Sequence, residues 1–177
     1  MKVSIVSTKL KSGVVLGALG ALVVSAYAVN VEWKGGDGRW DDPAMWKGEA
    51  VALASETAVF AEGIGGRVEL VGTHVVAALV IDSAGQGLPD AAPVTFYGGG
   101  TLTANLEFAE IKSGRQVVVS NACVVLGATV YVGQDGPARL EVCAGGLWDV
   151  SAGRTWIYDG STLHIEGGEV RGNLTVN

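Results

Sequence analysis

Cysteine is scarce in these 177 residues: Cys123 and Cys143 are the whole complement. Two cysteines cannot make a disulfide scaffold, so a packed core must hold the fold. Histidine is equally scarce. His74 and His164 stand alone, and no CxxC or Cys/His zinc spacing occurs. Basic residues are few as well. Three of the twelve Lys and Arg (Lys2, Lys9 and Lys11) precede the first carboxylate, so the chain from Val29 carries nine against eighteen Asp and Glu. That balance lacks the clustered basic face that nucleic acid requires, and leaves no polybasic cluster for anionic lipid. Its plain role is to keep a β-rich chain soluble. Three chemical motifs are also missing: a GxSxG nucleophile elbow, a DxDxDG calcium loop and a glycine-rich turn that opens a helix.

One long apolar run is present, at the N-terminus. Val14 to Val24 is interrupted only by Gly17 and Gly20, follows the three lysines, and closes on Ser25-Ala26-Tyr27-Ala28. A basic start, an apolar centre and a small-x-small end make a signal peptide over residues 1–28, cleaved after Ala28. The run is short of the roughly 20 apolar residues that span a bilayer, and no later segment is long enough to do so as a helix. The chain is therefore expected to be secreted or displayed at a cell surface, with no membrane span after cleavage.

Beyond Val29 no segment carries a helical period. Short β-branched and aromatic runs recur instead, among them Val94-Thr-Phe-Tyr97, Val117-Val-Val119, Val130-Tyr-Val132 and Trp156-Ile-Tyr158. Turns rich in Gly, Asn and Asp separate them, which predicts many short strands. Val71, Val94, Val117, Leu140 and Leu163 are spaced by 23 residues, and Thr73, Phe96, Val119, Val142 and Ile165 repeat the spacing two positions on. Seven positions after the last four anchors stand Thr101, Val124, Leu147 and Val170, each expected to open the next strand. One coil cannot bury its own apolar face, so coils must stack. The expected fold is all-β: a single-stranded parallel β-helix with coils of about 23 residues, right-handed by the general crossover preference. A Greek-key β-sandwich is the alternative. Residues 29–60 form a Trp-rich lead-in or cap, and 61–177 the coils.

The stretch Val130-Tyr-Val-Gly-Gln-Asp-Gly-Pro-Ala-Arg-Leu-Glu-Val-Cys-Ala-Gly-Gly146 resembles the repeat of bacterial autotransporter passengers and related surface proteins. Trp33-Lys-Gly-Gly-Asp-Gly-Arg-Trp40-Asp-Asp-Pro-Ala-Met-Trp46 is similar to their W-x-G-G-x-G-x-W-x-D-P-A-x-W lead-in, with Glu56-Thr-Ala-Val-Phe60 in place of the following strand. Pro137-Ala138 replaces the usual glycines, and cysteine is uncommon in such repeats. The resemblance implies an exported structural or adhesive module of a Gram-negative bacterium, without catalysis or cofactor. Its partner would be a glycan or cell-surface receptor. The sequence ends in an expected strand, Asn173-Leu-Thr-Val-Asn177, so the coils are expected to be incomplete there. A neighbouring copy could then associate through the exposed terminal coil. A carbohydrate-binding or polysaccharide-cleaving β-helix module is the alternative function.

Trp33, Trp40 and Trp46, interleaved with Asp37, Asp41 and Asp42, are the most conspicuous cluster. As a site they read as a sugar-stacking platform with a calcium ion among the carboxylates. As structure they read as a cap, the more economical assignment, since every solenoid must close its end. Asp149 with Asp159, and Glu166 with Glu169, are the acid pairs a hydrolase or lyase would use, but the repeat puts the first pair on different faces. Cys123 and Cys143 are expected to be free and buried, too far apart for a disulfide. Asn173-Leu-Thr175 matches a glycosylation sequon, of consequence only in a eukaryotic secretory route.

Overall fold

The computed structural model describes residues 29–82, 92–105 and 108–177. The expected signal peptide lies outside them. The described chain is a parallel β-solenoid of about 6 turns, roughly 23 residues per turn.

Three walls build each coil. The first stacks β2 (Gly38–Arg39), β4 (Gly66–Glu69), β7 (Val94–Tyr97), β10 (Gln116–Val119), β13 (Arg139–Cys143) and β15 (Thr162–Glu166). The second stacks β5 (Thr73–Val76), β8 (Thr101–Ala104), β11 (Cys123–Leu126) and the leading halves of β14 (Leu147–Ile157) and β16 (Glu169–Val176). The third stacks β1 (Asn30–Glu32), β3 (Thr57–Phe60), β6 (Ala78–Ile81), β9 (Phe108–Ile111), β12 (Thr129–Val132) and the trailing halves of β14 and β16. Every ladder between these strands is parallel. The sandwich alternative, built from antiparallel pairs, is thereby replaced.

The alternation along each strand explains the core. Val94 and Phe96, Val117 and Val119, and Leu140 and Val142 point inward and are fully buried. Their intervening neighbours Thr95, Val118 and Glu141 stand on the outer face in one register row. Corners at Gly99, Asn121, Gly145 and Gly167 turn the chain through left-handed backbone. Gly145, for example, takes φ 71°, a conformation glycine adopts without penalty.

The register corrects the repeat in two places. Val94, Val117, Leu140 and Leu163 do pair at 23-residue steps. Val71 does not join them: Gly66 pairs with Val94, and Val71 lies in the following corner, 45% exposed. Likewise Thr73 pairs with Thr101 rather than with Phe96. Twelve residues connect β6 to β7, against four between β9 and β10 and six between β12 and β13, so a 23-residue step counted back from Val94 lands beyond β4. The second correction concerns the row seven positions after each anchor. Cys123 pairs with Thr101 and Leu147, so the inward row is Leu102, Val124, Trp148 and Val170. The corner from Val119 to Cys123 is one residue shorter than that from Phe96 to Thr101. A one-residue difference would flip every side chain, so the strand pairs by its buried face instead of by count.

Both thiols are free and half-buried rather than buried. Cys123 belongs to the second wall and Cys143 to the first, so different walls separate them, not an offset along one strand. Burial raises the Cys123 thiol pKa above its ordinary value.

Candidate functional site

The tryptophan-rich end is built by β1, β2 and a single 3-10 turn, Pro43–Met45. Asp42 starts that turn: its Oδ1 accepts from the Ala44 N–H at 2.9 Å, and Pro43 occupies the first helical position. The Asp-Pro pair signals this turn, although the strand pattern around it drew no attention to it. An isolated antiparallel bridge joins Trp33 to Trp46 and folds the segment back over the coil end.

All three indoles are buried to 0% exposure. Trp33 meets Trp46 edge-on at 5.2 Å between ring centres, and Trp40 meets Trp46 edge-on at 4.8 Å. Phe60 lies 5.8 Å from Trp33 and from Phe96, which extends the stack into the coil interior. Such edge-to-face pairs match the positive ring edge to the negative ring face. Trp46 Nε1 donates to the Trp40 carbonyl at 2.8 Å, and Trp33 Nε1 to the Gly36 carbonyl at 3.3 Å. The cluster is a plug that closes the coil stack. As a sugar platform it has no ring face at the surface, because the rings are consumed in packing against one another.

The three neighbouring acids have separate structural tasks. Asp37 accepts the Arg67 N–H at 2.8 Å. Asp41 takes a two-pronged pair from Arg39, at 2.9 and 2.7 Å. That hydrogen bond, with the nearby guanidinium charge, holds the Asp41 carboxyl below the usual carboxylate range. Asp42 caps the 3-10 turn. Among the described residues no group of three His, Cys, Asp or Glu is placed to hold a metal ion, so these carboxylates do not converge as a calcium site would require.

The acid pairs also diverge. Asp149 is on the second wall, where Ser151 donates to its Oδ1 from backbone and hydroxyl and Arg171 stands 4.0 Å away. The Ser151 hydrogen bonds keep its carboxyl below the usual range. Asp159 lies in the turn after the third wall. Glu166 ends β15 on the first wall, while Glu169 opens β16 on the second and binds Arg171 at 2.6 Å.

A corner cleft of about 500 Å³ runs between the third and first walls, lined by Pro93, Gly114, Arg115, Pro137, Arg139 and Gly160. Arg115 is 1% exposed, and its guanidinium reaches along the corner to the carbonyls of Ala61 (3.1 Å) and Ile64. Burial lowers its pKa from the ordinary value, with the Asp82 charge opposing. It braces corners of different coils by bonding backbone.

One arrangement escaped the sequence. On the outer face of the third wall, Glu110, Tyr131, Trp156 and Thr175 form a row across successive coils. Tyr131 and Tyr158 rings lie 6.3 Å apart, and the Arg154 guanidinium sits 5.4 Å from the Trp156 ring centre. Tyr131 and Trp156 are 25 residues apart, so the 23-residue step hides their pairing across the ladder. No family model, curated protein or solved structure matches the chain.

Proposed function

We propose that the chain is an exported structural and adhesive surface module, comparable to an autotransporter passenger. The observation that carries this reading is the form of the molecule: parallel coils closed by a tryptophan plug, with flat walls bearing ordered side-chain rows. A ladder of backbone bonds makes such walls stiff, and adhesion needs surface chemistry held at fixed spacing rather than a deep pocket. The similarity of Trp33 to Trp46 and of Val130 to Gly146 to passenger sequences supports the same reading. The acids that cleavage would need are spread over different elements, with Asp149 engaged by Ser151 and Glu169 by Arg171.

Displaying the chain on a non-adherent Gram-negative bacterium tests this. Retention on glycan-coated and host-cell surfaces should rise several-fold over the same host with an empty display carrier. Equal retention would overturn it, and release of reducing sugar from a polysaccharide would favour the cleaving alternative.

A further inference from the structure

We infer that the outer face of the third wall, around Tyr131, Trp156 and Tyr158, is a stacking platform for a linear neutral glycan. The inference rests on the adhesive reading above and names the chemistry of its partner. Four of the five tryptophans are spent inside the solenoid: Trp33, Trp40 and Trp46 at 0% exposure and Trp148 at 1%. Trp156 alone among them is only partly buried, and Tyr131 and Tyr158 beside it are partly buried too. Tyr131 pairs with Trp156 across adjacent coils, while Tyr158 follows two positions along the same strand direction, on the same face.

The Arg154 guanidinium lies over one face of the Trp156 ring, 5.4 Å from its centre. In this platform the C–H face of a pyranose therefore stacks on the opposite face and beside the two tyrosines, and the rim supplies its hydroxyls with donors and acceptors. One coil above Tyr131, Glu110 lies 3.8 Å from Lys112, which in turn binds Asp82 at 3.1 Å. The Tyr158 end leads through Asp159 into Gly160, which lines the corner cleft of about 500 Å³.

Two observations select the occupant. The aromatic strip spans two rungs and a few residues, on the order of 10 Å each way. A stable protein interface needs about 800 Å² on each partner, so neither a second copy nor a folded protein fits so small a strip. The rim carries both signs of charge, and the chain as a whole is acidic. An anionic polysaccharide is repelled by that field, whereas a neutral one is not.

The experiment titrates cellohexaose, chitohexaose and mannohexaose into the purified exported chain by calorimetry, with acrylamide quenching of tryptophan emission in parallel. Binding heat with at least one sugar is expected, together with at least a twofold drop in quenching, because Trp156 is the accessible indole. Trp156→Ala and Tyr131→Ala should each weaken binding about tenfold or more at an unchanged melting temperature, and Thr95→Ala, on the first wall, should not. No heat with any of the three sugars, or undiminished binding by Trp156→Ala, overturns the platform. If Trp156→Ala fails to fold, sugar protection of the parent chain from acrylamide decides alone. Retention of displayed cells separates the two ideas. Adhesion without hexasaccharide binding sinks the platform and spares the adhesive reading, and hexasaccharide binding without adhesion does the reverse.

Discussion

At the scale of single residues the plug and its neighbours dominate. Trp40 contributes a fully buried indole whose removal leaves a large void, so Trp40→Ala should cost about 3–5 kcal/mol of stability, read from urea unfolding. His74 stacks on Trp40 at 5.9 Å between ring centres, and its Nε2 is buried without a partner. Burial lowers its pKa, the Asp41 charge opposing. The unfolded chain therefore takes up a proton first as pH falls below about 6.5. A depressed histidine pKa thus gives stability that is whole above that pH and declines below it. His74→Phe keeps the stack and cannot titrate. Melting temperature of this variant should stay flat between pH 7 and 5, where that of the parent chain falls. The depressed carboxyls of Asp41 and Asp149 act lower down: their contribution is present above about pH 4 and lost as pH drops through their folded values. Arg115→Met keeps bulk but withdraws the donors from the Ala61 and Ile64 carbonyls. It should cost about 2 kcal/mol, measured the same way.

At the scale of elements the corners decide which strands can stack. Gly66 opens β4 at φ 138°, and a Cβ there would lie 2.1 Å from the Gly36 carbonyl oxygen. Gly48 also has a positive φ, 80°, but a Cβ there meets nothing within 4 Å. Gly48→Ala should therefore lose only about 1 kcal/mol, the cost of the left-handed backbone. Gly66→Ala should lose several-fold more, because two backbones must also part. Thermal melts of the two variants make the comparison. Equal losses would mean that conformation alone, and not the close approach of coils, fixes glycine at these corners.

At the scale of the molecule stability is spread unevenly along the solenoid axis. Described strands such as β10 and β11 pair on both edges, whereas β15 pairs with β13 alone and β16 with β14 alone. Ile165, Leu174 and Val176 on those two strands are 50%, 49% and 71% exposed. In a quasi-one-dimensional stack each coil is held by its neighbours. Amide exchange should therefore be fastest in Thr162–Val176 and slowest around β10 and β11, with protection rising steadily between. Uniform protection would indicate a single cooperative unit.

Much of this was legible in the residues. Alternating apolar positions and small corner residues determined an all-β chain, since a strand with one apolar face must be covered and a short strand cannot cover itself, and the 23-residue step favoured coils over a sandwich. Val94, Val117, Leu140 and Leu163 gave away the step because their corners happen to balance in length. The tryptophans of the lead-in announced an end to be closed, since rings of that size must find a core. Tertiary structure alone decided the register where corners differ. Val71 lost its place in the ladder to Gly66, and Val124 pairs with Trp148 instead of Leu147. It alone also decided which aromatics face out. Trp33 and Trp156 are chemically alike, yet one is sealed in the plug and the other lies on a wall. Periodicity counts residues along the chain, whereas burial is settled by the coil lying above and below.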